Sequence, residues 1–131
     1  MSNKTSAVVK TNPRKAVMIG CGFVGSASVF ALMQSGLFSE IVLIDADKDK
    51  AEGEAMDISH GIPFARPMKI YAGGYDDVAD AAIIVVSAGA GQKPGETRLD
   101  LVNKNVASSR ASFRRLQREI SVESYLSLQT L

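Results

Sequence analysis

A six-residue stretch near the amino terminus has the residue types and spacing to hold a phosphate group. Gly20-Cys21-Gly22-Phe23-Val24-Gly25 reads G-x-G-x-x-G, and a carboxylate, Asp45, follows roughly twenty residues later. In such a motif the first glycine permits a tight turn. The second lets the backbone approach a pyrophosphate, and the third lets a helix pack closely on a strand. The helix then offers unpaired N–H groups and a partial positive charge to the phosphates. A carboxylate ending the next strand accepts hydrogen bonds from both ribose hydroxyls of NAD and repels the 2′-phosphate of NADP. Glycines also serve ordinary turns, and Asp45 could instead cap the following helix. The motif therefore gains meaning only from its surroundings.

Those surroundings alternate strand and helix. KAVMIG (Lys15 to Gly20) is a short apolar run of the kind that forms a buried strand. FVGSASVFALMQSG follows as a helix, with Val24, Ala27, Ala31 and Leu32 at helical spacing and Gly36 at its end. EIVLIDAD (Glu40 to Asp47) is a second strand, and KDKAEGEAMDISHG a second helix closed by Gly61. MKIYAG (Met68 to Gly73) is a third strand, and DDVADA a short helix or turn. AAIIVVSAG (Ala81 to Gly89) is apolar along its length, as expected of a strand covered on both faces at the centre of a parallel sheet. The pattern predicts right-handed βαβ units in an α/β fold, the first half of a doubly wound parallel Rossmann sheet. Ligands in that architecture bind beyond the carboxyl ends of the strands, where the glycine motif and Asp45 fall.

Composition excludes other classes. The chain has 131 residues, 46% of them hydrophobic and 22% charged, which is globular composition for one core. A net charge of +1 gives no reason to expect nucleic acid or a membrane as partner. Arg110, Arg114, Arg115 and Arg118 crowd the end of the chain without an aromatic platform for bases. Cys21 is the only cysteine, so neither an intramolecular disulfide nor a four-cysteine zinc site can form, and no metal is expected. It reads as a small residue in a tight turn. The only histidine, His60, suits the end of a helix better than catalysis. The first residues lack the apolar core of a signal peptide, and no apolar run is long enough to span a bilayer. A soluble, cytoplasmic protein is expected.

The loop after the fourth strand, SAGAGQKPGETRLDLVNKN, closely resembles the L-lactate dehydrogenases of the lactate/malate dehydrogenase family. The glycine turn, IVLIDAD and MDISHG resemble them too, and the likeness covers Lys15 to Ala107. It implies NAD as cofactor and hydride exchange between L-lactate and pyruvate in a homo-oligomeric parent enzyme. Arg98 matches the loop arginine that polarises the substrate carbonyl, a task suited to a guanidinium. Gln92 matches the position that discriminates among 2-oxo acids. A neutral amide there tolerates a methyl group, where malate dehydrogenases place an arginine. Pro94 and Gly95 give the turn and freedom of a closing loop. The likeness also places Phe23, Val24, Lys50, Tyr75, Gly89 and Ala90 beside the dinucleotide with Gly20, Gly22, Gly25 and Asp45.

The family's catalytic histidine, its orienting aspartate and a second arginine lie beyond the matched segment. The chain alone is therefore expected not to oxidise lactate. The alternatives are a non-catalytic nucleotide-binding fragment and a relative acting on malate or another 2-hydroxy acid. Three parts are expected: an arm over 1–14, the nucleotide-binding half-domain with its substrate loop over 15–107, and an unrelated tail over 108–131.

The tail should be poorly structured or form a short helix, and it has a specific explanation. A family-like continuation, Ile-Phe-Lys-Ser-Ile-Ile-Pro-Glu-Ile-Ala-Lys-Arg-Asp-Phe, can be encoded so that reading one base forward gives Ser108 to Ile120. The tail is expected to be a frameshifted remnant, and restoring one base should open a frame encoding Asn-Pro-Val-Asp and a later histidine. The rival is a true short isoform with a basic, partly amphipathic helix, since Phe113, Leu116 and Ile120 recur at helical spacing.

Overall fold

The computed structural model describes residues 11–91 and 93–120. Four parallel strands, β1 (Asn12–Ile19), β2 (Glu40–Ile44), β3 (Lys69–Ala72) and β4 (Ala81–Val86), form one sheet in the order β3-β2-β1-β4. Helix α1 (Phe23–Ser35) joins β1 to β2, α2 (Lys48–Ser59) joins β2 to β3, and α3 (Arg98–Glu119) follows β4. The chain steps outward from β1 to β3 and then returns to the other side of β1. That reversal opens a crevice at the carboxyl end of β1, the place where such sheets bind ligands.

Burial in the two central strands is nearly continuous, and the pleat sends alternate side chains to opposite faces. Ala16, Met18, Ile41 and Leu43 pack with Val29 and Met33 of α1 and Ala51, Ala55 and Ile58 of α2. Val17, Ile19, Val42 and Ile44 pack with Val78 and with Leu116 of α3. The sheet is thus covered on both sides, with α3 supplying the second layer.

Two expectations change in detail, and the alternative role of Asp45 as a helix cap falls away. Helix α1 buries Gly25, Val29 and Met33, while Val24, Ala27 and Ala31 are exposed. Its sequence is apolar almost all round, so spacing does not choose a face. Gly25 must meet the turn below it, and Val29 and Met33 follow at one-turn intervals. Among the described residues strand β4 is not central: it pairs with β1 alone, and Ala82 and Ile83 are exposed. Its apolar run reflects a demand for cover that the described residues do not meet on the outer edge. Helix α2 takes its amino-terminal cap from Asp47, whose side chain accepts from the Lys50 N–H at 3.2 Å, and not from Asp45.

Of the two forms expected for the tail, the described part is helical. Thr97 opens α3 with a capping box: Asp100 donates its N–H to Thr97 Oγ1, and Thr97 donates its N–H to Asp100 Oδ2. The helix runs past Ala107 without a break. Ser112 and Leu116 are its buried residues and Ile120 packs against the cluster that holds Leu116, whereas Phe113, expected on the same face, is 51% exposed. Residues 121–131 and most of the expected arm lie outside the described residues. Among the described residues, no helix is long and apolar enough to cross a membrane, and no group of His, Cys, Asp or Glu could hold a metal ion.

Candidate functional site

The glycine turn is wedged between the carboxyl ends of β1 and β4. Gly20 has φ +99°, and a Cβ on it would lie 2.6 Å from the Ala88 nitrogen. Its N–H donates to the Ile44 carbonyl at 2.8 Å. Below the turn, a Cβ on Gly25 would fall 1.9 Å from the Gly20 oxygen. Ser87 donates its hydroxyl to that oxygen at 3.0 Å and its N–H to the Ile19 carbonyl at 2.8 Å. Gly22 is different, because a Cβ there would meet nothing within 4 Å. It opens α1 without a side-chain cap, and among the described residues the N–H groups of Phe23 and Val24 have no acceptor. An open approach to unpaired helix amides is what a phosphate requires.

Asp45 holds the turn from the side. Its Oδ2 accepts from the Cys21 N–H at 2.7 Å and its Oδ1 from the Asp47 N–H at 3.0 Å. A carboxylate has about four acceptor sites, so Asp45 retains capacity for a ligand's hydroxyls. Cys21 is fully buried, and its Sγ–H donates to the Ile44 carbonyl at 3.8 Å. Burial, with the Asp45 charge adding to it, pushes the thiol up to about 11. The raised value keeps the thiol protonated at neutral pH. A thiol reagent added to folded protein at pH 8 should leave Cys21 unmodified, with full reaction on unfolding. Rapid labelling of the native chain would contradict this placement.

A cavity of about 440 Å³ lies over the turn. It brings together seven of the residues picked out from the sequence: Gly20, Gly22, Asp45, Lys50, Tyr75, Gly89 and Ala90. Gly25 supports the turn from beneath. Phe23 and Val24 are 99% and 71% exposed and do not line the cavity. Arg98, the first residue of α3, is also exposed and outside the lining, at the far end of the loop. Gln92 lies outside the described residues. His60 caps the carboxyl end of α2 and does not line the cavity.

The loop is shaped by its own contacts. Asn105 Oδ1 accepts from the Ala90 N–H at 2.7 Å, Gly95 turns with φ +86°, and Glu96 pairs with Lys104. Sequence reading missed two further parts of the lining. Ser87 and Ala88 follow β4, so the rule that ligands sit at strand ends pointed to them. Ser108, Ala111, Ser112 and Arg115 come from α3, and no motif marked them.

Residues 14–123 match the family model described as lactate/malate dehydrogenase, NAD binding domain. The chain is 60% identical over 103 residues to the L-lactate dehydrogenase of Priestia megaterium, a match covering 79% of this chain and 32% of that protein. It is 61% identical over 93 residues to the L-lactate dehydrogenase of Thermoanaerobacterium saccharolyticum, covering 71% and 30%. Among solved structures, the minor L-lactate dehydrogenase of Enterococcus mundtii superposes with a TM-score of 0.77 at 38% identity, covering 81% of this chain and 34% of that one. The malate dehydrogenase of Archaeoglobus fulgidus in complex with NADH gives 0.74 at 36% identity, covering 81% and 37%. The chain spans about a third of the length of the curated relatives it matches.

Proposed function

The chain belongs to the lactate/malate dehydrogenase family, and we propose that it is the NAD-binding part of an enzyme that interconverts L-lactate and pyruvate. The observation that carries this is the open face of Gly22 beside unpaired α1 amides, with Asp45 anchored next to it. The α1 amides and the backbone at Gly20 and Gly22 receive the pyrophosphate, and Asp45 receives the adenosine ribose. Lys50 and Tyr75 flank the adenosine, and Gly89 and Ala90 form the opposite wall. NAD, when bound, supplies the hydride acceptor; the protein supplies orientation and charge.

Gln92 and Arg98 are the substrate residues of this proposal. Arg98 polarises the oxo group once the loop closes, and the neutral Gln92 favours a methyl-bearing 2-oxo acid over a dicarboxylate. The malate reading draws on the malate dehydrogenases of Archaeoglobus fulgidus and Picrophilus torridus among the solved structures, whereas the curated relatives named above are L-lactate dehydrogenases. The family's proton-transferring histidine lies beyond the matched segment, and the one histidine of this sequence, His60, does not line the cavity. The chain by itself therefore binds nucleotide without oxidising lactate. A cytoplasmic location and a homo-oligomeric whole enzyme belong to the same proposal.

Titration of the folded chain with NADH and NADPH tests this. NADH is expected to bind and NADPH to bind far more weakly. Asp45→Asn removes the charge at constant size. It should weaken NADH about tenfold, the effect of one charge-assisted hydrogen bond, and narrow the gap to NADPH. A folded chain that binds neither nucleotide, or an Asp45→Asn chain with unchanged discrimination, would overturn the reading.

A further inference from the structure

One wall of the cavity comes from α3, where no sequence motif pointed. Ser108, Ala111, Ser112 and Arg115 recur at helical spacing and form one stripe facing the cavity. Leu116 fixes that stripe in place. It is 5% exposed and packs with Ile19 and Ile44, which end the strands carrying the glycine turn and Asp45. Arg115 lies over the ring of Tyr75, 5.5 Å from its centroid, and Tyr75 lines the same cavity. Stacking on an aromatic face orients a guanidinium while leaving the N–H donors of its edge free. Among the described residues no carboxylate pairs with Arg115. The charged groups of the lining are Asp45, Lys50 and Arg115, and Asp45 already accepts two backbone N–H bonds. The cavity thus carries an excess of positive charge.

We propose that Arg115 is a phosphate-binding residue of this cavity, selecting adenine nucleotides by the phosphates attached to their adenosine. The proposal rests on the nucleotide reading of the site. It assigns a binding role to the second half of α3, beyond the glycine motif and the substrate loop. The probe is titration calorimetry of the full chain with ADP-ribose and with adenosine at low and high salt. The proteins are the unaltered chain, Arg115→Gln and Arg115→Lys, each first checked for an unchanged melting temperature. Arg115→Gln should weaken ADP-ribose about tenfold and flatten its salt dependence, while adenosine changes less than about twofold. Arg115→Lys should recover part of the loss, because the charge remains while the planar fork is lost. Equal ADP-ribose affinity in Arg115→Gln, or an equal loss for adenosine, would overturn the proposal while leaving the nucleotide reading intact. Failure of the unaltered chain to bind ADP-ribose would remove both.

Discussion

Replacing Lys15 by methionine is expected to destabilise the chain by about 3 kcal/mol, a large share of the 5–15 kcal/mol typical of a domain. Lys15 is buried midway along β1, with its ammonium 2.7 Å from Asp80 Oδ1, 3.7 Å from Glu40 Oε1 and 3.8 Å from Asp77 Oδ1. Tyr71 adds its hydroxyl, 2.6 Å from Glu40 Oε1 and 3.3 Å from Asp77 Oδ1. Methionine fills the space but leaves three carboxylates gathered around no cation. They are partly exposed, so the cost falls at the lower end of that for breaking a buried pair. Tyr71→Phe keeps the ring and should cost only about 1–2 kcal/mol. Urea melts of both variants check this, and a Lys15→Met chain within about 1 kcal/mol of the original would refute it.

The same cluster sets an alkaline limit. Burial works against the Lys15 charge, but the Asp80 hydrogen bond and the three carboxylates outweigh it, so its pKa is raised. Burial and the Glu40 hydrogen bond raise that of Tyr71 as well. Both groups hold their protons more tightly folded than unfolded. Their contribution is complete below the ordinary tyrosine value of 10.0 and fades as pH climbs above it. The cluster also reaches the site, because Asp77 accepts from the Gly74 N–H at 2.9 Å and so fixes the turn that presents Tyr75.

Where local chemistry decides, the sequence was readable. The apolar runs became β1 and β2, Gly36 became the left-handed end of α1, and most residues placed at strand ends line one cavity. Where a tertiary partner decides, it was not. Helix α1 has apolar residues on every side, so only the contact at Gly25 selects its buried face. Asp45 could cap α2 on sequence alone, but in the fold it accepts from the Cys21 N–H and Asp47 caps the helix instead. The α3 wall depends on Leu116 reaching the sheet. Its neighbours are good helix formers, but nothing in their spacing names Ser112 as buried and Phe113 as exposed.

Gly25→Ala should lose stability and nucleotide binding together, against the direction that helix propensity alone gives. In a helix interior, alanine is favoured over glycine by about 1 kcal/mol. At position 25 the new methyl would lie 1.9 Å from the Gly20 oxygen and 2.8 Å from Ser87 Oγ. Relief requires α1 to withdraw from the turn, and overpacking of this kind typically costs about 1–3 kcal/mol or more. Withdrawal also moves the amides offered to the pyrophosphate. Two other glycines separate these effects. A methyl on Gly53, in α2, would meet nothing within 4 Å, so Gly53→Ala should follow propensity and stabilise by up to about 1 kcal/mol. Gly22→Ala is equally free of steric conflict, yet its methyl occupies the space left for the phosphates. That chain should melt with the original and bind NADH at least about tenfold more weakly. If Gly22→Ala binds NADH normally, the pyrophosphate does not sit at the turn. If Gly25→Ala is as stable as Gly53→Ala, the close approach of α1 to β1 is not what holds the turn. Loss of binding in both, with loss of stability only in Gly25→Ala, would assign support to one glycine and ligand approach to the other.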